Sequence, residues 1–236
     1  MNIIKALNNK KTLTAIVTGA LLSAVALPSA YAADVPGFSA TYRISAEGAT
    51  GTATRTLTKT GNNYKYTVSG SAARIATLNQ TSNFRLANGN IAPSNASMSA
   101  RILGIGNTHS VRFNNAGKSV VSTYKGKSTT LSMPRQAYDD LAMEVQIRQE
   151  LLNGRFTGRY PLVKRSEIEN TVFRQAGSSR ISVPAGSYSV VRIDRVHNDR
   201  NRATSFWLAP SLNYLPVKIV QNADGKTMSM ELTRVN

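Results

Sequence analysis

Apolar and polar side chains alternate with a period of two over most of this chain, and no other feature constrains its fold as strongly. Phe38, Ala40, Tyr42 and Ile44 alternate with Ser39, Thr41, Arg43 and Ser45, as in a strand with one face on a core and the other in water. Gly48 and Gly51 mark a turn after it. Tyr64, Tyr66 and Val68 repeat the pattern beyond the turn-like Gly61-Asn62-Asn63. Asn114-Asn115-Ala116-Gly117 separates Val111-Arg112-Phe113 from the strand at 119–124, as in a hairpin. Near the end, Val217 and Ile219 lead through Ala223-Asp224-Gly225 to Met228, Met230 and Leu232, a hairpin with a short Gly-containing turn. Further strands are predicted near 159–163, 167–174, 180–183, 188–196 and 204–208.

One segment departs from this rhythm. Leu141, Val145, Arg148 and Leu152 follow a helical spacing, flanked by Ala142 and Leu151. Asp139 or Asp140 can cap the start, and Asn153-Gly154 is a stop signal, which predicts a helix over about 140–153. The fold class expected is therefore mainly β: a single domain built on a large curved antiparallel sheet or open half-barrel with one central α-helix. A sheet of so many strands should curl, and the helix is the natural plug for its concave side.

Residues 1–32 read as a cleavable signal peptide. Lys5, Lys10 and Lys11 precede an apolar stretch from Leu13 to Leu27, Pro28 ends it, and Ala30-Tyr31-Ala32 supplies the cleavage pattern. The apolar run is too short for a membrane span, and no Cys stands at the junction for a lipid anchor. The expectation is a periplasmic chain of residues 33–236 with no transmembrane segment. Cys is absent throughout, which removes disulfides, thiol catalysis and Cys-type metal sites. The formal net charge is +17. Its distribution is uneven: Gly48 to Tyr138 contains no Asp or Glu, while Arg55, Lys59, Lys65, Arg74, Arg85, Arg101, Arg112, Lys118, Lys125, Lys127 and Arg135 all fall there. Such a surface attracts polyanions. Export argues against nucleic acid and leaves anionic lipid, lipopolysaccharide or an acidic cell-wall polymer, unless the charge is only compositional.

Catalytic constellations are weak. Ser122-Thr123-Tyr124-Lys125 fits S-x-x-K and Lys59-Thr60-Gly61 fits K-T-G, but their order is reversed relative to the penicillin-recognising enzymes, and S-x-x-K falls on a predicted strand. The two histidines, His109 and His197, read as loop residues, too few for a zinc site. Glu167 and Glu169 share one strand face rather than opposing each other across a cleft, and are expected to answer Arg165 and Arg174. Gly104-Ile105-Gly106 lacks the strand-turn-helix setting of a phosphate loop. No cofactor, metal or catalytic residue is assigned, and the chain is not expected to be an enzyme. Trp207, beside Ala209-Pro210, and Tyr214 are candidates for lining a concavity, with a packing anchor as the competing reading of Trp207.

Three stretches carry a family resemblance: Trp207-Leu208-Ala209-Pro210 with Asn213-Tyr214-Leu215-Pro216-Val217-Lys218-Ile219; Tyr138-Asp139-Asp140-Leu141 with Leu152-Asn153-Gly154; and Val183-Pro184-Ala185-Gly186-Ser187-Tyr188. In order and spacing the chain resembles a bacterial exported-protein family defined only as a domain of unknown function. The resemblance implies an exported β-rich domain and carries no activity. In outline, a curved open sheet around a helix is similar to periplasmic lipoprotein-carrier and stress-sensor folds whose concave faces hold acyl chains, but shape alone does not transfer that function.

The expected function is envelope-associated binding. An apolar chain or polymer would lie on the concave face near Trp207 and Tyr214, and Arg43, Arg55, Lys59, Lys65, Lys125 and Lys127 would form the surface for an anionic partner. The alternative is a non-catalytic interaction module that holds an envelope protein by a strand edge or the basic face; an envelope hydrolase is the third reading.

Overall fold

The computed structural model describes residues 33–72 and 76–236; the expected signal and Arg74 lie outside the described residues. Its strands are β1 (Phe38–Ala46), β2 (Ala49–Thr60), β3 (Asn63–Ala72), β4 (Ala76–Ala87), β5 (Asn90–Ile102), β6 (Ile105–Asn114), β7 (Ser119–Tyr124), β8 (Lys127–Ser132), β9 (Arg159–Val163), β10 (Ile168–Val183), β11 (Gly186–Val196), β12 (Arg202–Ala209), β13 (Leu215–Ala223) and β14 (Lys226–Val235). Among the described residues one α-helix, α1 (Asp140–Leu152), lies between β8 and β9. No helix among the described residues is long and apolar enough to cross a membrane.

All fourteen strands form one sheet in the order β8-β7-β6-β5-β4-β3-β2-β1-β14-β13-β12-β11-β10-β9. Strands adjacent in the sheet are adjacent in sequence except at the antiparallel β1–β14 pair, which joins the two halves. Turn chemistry sustains this meander. Glu47-Gly48, Asn88-Gly89, Leu103-Gly104, Lys125-Gly126 and Asp224-Gly225 are two-residue turns with positive φ at both positions, the geometry that matches the twist of paired strands. Gly51, expected in a turn, instead lies inside β2, where a Cβ would come within 2.1 Å of the Ser71 carbonyl oxygen; its glycine serves close strand approach. The strands expected at 167–174 and 180–183 are one strand, β10, bent at a register shift between Gln175 and Ser178, where Gly177 has a φ of +109°.

The turns β1–β2, β5–β6, β7–β8 and β13–β14 fall at one end of the sheet, the open end. The turns β2–β3, β4–β5 and β6–β7 fall at the other, and α1 plugs that end. Asp139 caps the helix, accepting from the Leu141 and Ala142 amides at 3.0 and 3.1 Å, and Asn153 closes it. All residues of α1 except Asp140, Glu144 and Leu152 are buried. The helix is enclosed rather than laid on a surface, so its polar side chains bond to the wall. Gln146 Oε1 accepts from the Ile91 amide at 2.7 Å and Gln149 Oε1 from the Val35 amide at 2.9 Å. Glu150 accepts from Tyr160 Oη and the Thr157 amide, both at 2.7 Å. These bonds satisfy groups that would otherwise be costly to bury. Around them pack Leu57, Tyr64, Phe84, Leu86 and Ile91.

The two edge strands, β8 and β9, do not pair, so the sheet stays open. Side-chain contacts and one isolated backbone bridge hold its ends together. Val111, Phe113, Val120 and Met133 from one end pack with Val163, and with Ile168, from the other. Tyr138 bridges Leu162, with Tyr138 N to Pro161 O and Val163 N to Tyr138 O both at 2.9 Å. The Arg165 guanidinium lies 3.9 Å over the Tyr124 ring.

Candidate functional site

Towards the open end α1 no longer fills the sheet, and a cavity of about 540 Å³ remains between them. Val68, Leu78, Met98 and Ala100 line it from β3 to β5; Ile193, Phe206, Leu208 and Ile219 from β11 to β13; and Met228 and Met230 from β14. Leu141, Met143, Glu144 and Ile147 form the helical wall. The lining follows from strand alternation: each strand sends every second side chain inward. Near the open end most of those positions hold aliphatic, Phe and Met side chains, with Gln80, Thr204 and Gln221 among them. Thioethers on three strand positions and one helical position give the lining adaptable shape.

Arg55 and Glu144 also line the cavity. Arg55 is 3% exposed and held on three sides: Nη2 bonds Glu144 Oε2, and the guanidinium lies 5.6 Å from the Tyr42 ring centroid and 5.3 Å from that of Tyr66. Tyr66 Oη donates to Glu144 Oε1 at 2.8 Å, and Tyr42 Oη to the Pro216 carbonyl at 2.9 Å. Burial, the largest single influence, would lower the Arg55 pKa, but the charge of Glu144 together with Tyr66, Tyr42 and the Glu144 hydrogen bond outweighs it, and the pKa is raised. Burial pushes the Tyr42 hydroxyl up to about 12. Arg148, fully buried nearby, bonds the Asn213 carbonyl at 3.2 Å and lies over the Phe38 ring; burial pulls its pKa down. Arg55 is thus paired with Glu144 while Arg148 bonds a backbone carbonyl, and Nη1 of each has no protein partner. At the cavity's side Arg195 bonds Glu169 at 2.9 Å, leaving its buried Nε unpartnered.

Placement of the sequence candidates changes the expected site. Arg55 is not on the surface; a charge in the alternating pattern reads as exposed, but this one is inward-facing and finds Glu144 and two tyrosines. The other five cations are dispersed. Arg43 is exposed and pairs with Glu231 at 2.7 Å. Lys59 pairs with Asp34 at 2.8 Å, and it and the exposed Lys65 lie towards the plugged end, whereas Lys125 and Lys127 flank the β7–β8 turn at the open end. They do not make one face. Trp207 does not line the cavity: it occupies the opposite face of β12 from Phe206 and Leu208, with Arg192 and Lys218 over its ring at 5.4 and 5.8 Å. Tyr214 packs against the main core instead. Glu169 answers Arg195 rather than Arg165 or Arg174.

His109 and Ser122 are brought together on β6 and β7, with Nε2 and Oγ 2.9 Å apart. Ser122 is fully buried and also contacts the Arg165 and Lys164 carbonyls at 2.8 and 3.2 Å. Carbonyls only accept, so the hydroxyl proton goes to them and His109 Nε2–H donates to Oγ. That polarity fastens the sheet ends; a general base would need the reverse.

The chain matches the model of a family described as a protein of unknown function (DUF3108) over residues 38–233. No curated protein matches it. Among solved structures it is similar to a β-barrel-like protein of the domain of unknown function DUF1849 from Brucella abortus, with a TM-score of 0.57 and 11% identity over 86% of this chain and 98% of that chain. That likeness is one of fold. A candidate lipoprotein from Parabacteroides distasonis aligns over 87% of this chain and 96% of its own at 7% identity, with a TM-score of 0.31.

Proposed function

The chain belongs to the DUF3108 family, whose description carries no activity, and on that premise we propose that it is an exported, non-catalytic binding protein that holds the apolar chain of an anionic amphiphile between α1 and the concave sheet. The cavity carries this reading. Its volume, about 540 Å³, falls within the range of about 300–1,000 Å³ for small-molecule sites, and an apolar lining with a few convergent polar groups is their usual character. A Met-rich lining accommodates chains of varied shape better than a rigid aromatic one. Arg55 and Arg195, each with an unpartnered buried nitrogen, supply the cationic groups for a carboxylate or phosphate end. Export rests on the signal-like sequence of residues 1–32.

Native mass spectrometry of residues 33–236, purified without detergent, tests the reading. A discrete adduct that resolves to an acyl-bearing lipid is the expected result. A bare polypeptide mass, together with no uptake of a fluorescent fatty acid, overturns it and favours the interaction module.

A further inference from the structure

The turn joining β5 to β6 exposes three large aliphatic side chains side by side: Ile102 is 62%, Leu103 72% and Ile105 82% exposed. Scattered apolar surface residues need no explanation; three at one hairpin tip do. The backbone adds a second observation. Leu103 takes a φ of +49°, a conformation that suits Asn, Asp or Gly. In the four other turns of this geometry the same position holds Glu47, Asn88, Lys125 or Asp224, all polar. Leu103 therefore accepts an unfavourable backbone conformation with no packing in return.

The surroundings indicate what the tip meets. Arg101, exposed, is paired in register with Gly106 at the tip. Lys125 and Lys127 flank the next turn at the same end; since Tyr124 pairs with His109, that turn stands four residues below Ile105, roughly 13 Å along the strand. The segment from Gly48 to Tyr138 contains no acidic residue, so the strands around the tip present positive charge alone. Apolar side chains foremost with cations set back by about this depth match a bilayer interface, where apolar groups enter about 5–10 Å and basic ones meet lipid phosphates. Met98 and Ala100 of the same hairpin line the cavity, and Ile102 follows them on the same face of β5.

We infer that the Ile102–Ile105 turn is a membrane-docking tip that inserts into an anionic bilayer, with Arg101, Lys125 and Lys127 on the lipid phosphates, and so sets the open end of the cavity against the membrane. This stands independently of what the cavity holds.

Vesicle flotation of residues 33–236 tests it, using phosphatidylglycerol-containing vesicles against pure phosphatidylcholine. Binding to the anionic vesicles alone is expected, with about a tenfold loss in a Leu103→Asn/Ile105→Ser variant, as two aliphatic side chains leave the interface. Leu103→Asn suits the turn, so thermal unfolding of the variant should match the parent. A Lys125→Glu/Lys127→Glu variant should weaken binding most at low salt. Failure of the parent to float, or unchanged flotation of the tip variant, overturns the inference; a tip-dependent crosslink to one envelope protein without flotation overturns it in favour of a protein partner. Fatty-acid uptake measured without vesicles should not change in the tip variant, so failure of the cavity reading and of the docking reading are told apart.

Discussion

The plugged and open halves of this sheet are built from the same strands with the same alternation, yet they face different interiors. Towards the plugged end Leu57, Tyr64, Phe84, Leu86 and Ile91 close on α1, and polar helix side chains are matched to wall amides. Towards the open end the inward positions carry Val68, Leu78, Met98, Met228 and Met230 around a cavity. Strand alternation makes an inward face; whether that face is a core or a site depends on whether another element fills it. Here one helix of 13 residues, about 20 Å long, fills only part of the sheet's length.

The sharpest break of this comparison comes at the boundary between the halves. Arg55→Ala leaves Glu144 with only Tyr66 as partner, and removing one member of a buried pair costs about 3–5 kcal/mol. Urea denaturation should register it, whereas Lys65→Ala on the outer face should stay within about 0.5 kcal/mol. Next comes the core itself. Leu57→Ala should cost about 2–5 kcal/mol, and Met98→Ala, which enlarges a space already present, distinctly less; equal losses would dissolve the distinction between the halves. Asp139, at the helix start, gives a pH signature. Burial raises its pKa from 3.8 to about 6 despite the bond from Ser82. A raised folded-state pKa contributes stability below pH 3.8 that is lost as pH rises through about 6, a swing of roughly 3 kcal/mol at about 1.4 kcal/mol per unit. Asp139→Asn keeps a capping oxygen and should flatten that decline in a pH series of unfolding curves. Among the inward positions the smallest change in stability belongs to Ala100→Leu, which fills cavity space and should alter stability by about 1 kcal/mol or less while reducing fatty-acid uptake.

Much of the architecture was legible because alternation is a local property. The strand at Arg159–Val163 and the helix with its Asp139 and Asn153 caps could be read from neighbours in sequence. What could not be read depended on distant partners. Arg55 looks like any outward cation until Glu144, 89 residues away, arrives beside it. Gln146 and Gln149 look like the wet face of an amphipathic helix, yet Ile91 and Val35 bury them. Trp207 and Phe206 are adjacent aromatics on opposite faces of one strand, and composition alone favours the wrong one for the cavity. Arg43 precedes the acid-free stretch, and the other four surface candidates scatter because even a one-signed stretch of sequence, threaded through a meander, visits both ends of the sheet.

The unpaired join between β8 and β9 gives the wall a mechanical property. Everywhere else neighbouring strands are tied by a ladder of backbone hydrogen bonds; there the tie is the pair of backbone bonds at Tyr138, Ser122 on the Arg165 carbonyl, Arg165 over Tyr124, and a small apolar patch. Two backbone bonds and a few side-chain contacts yield at lower cost than a full strand ladder. Any change in girth, as between an empty and a filled bore, is therefore taken up at that one joint, and the remaining strands travel with their registers intact.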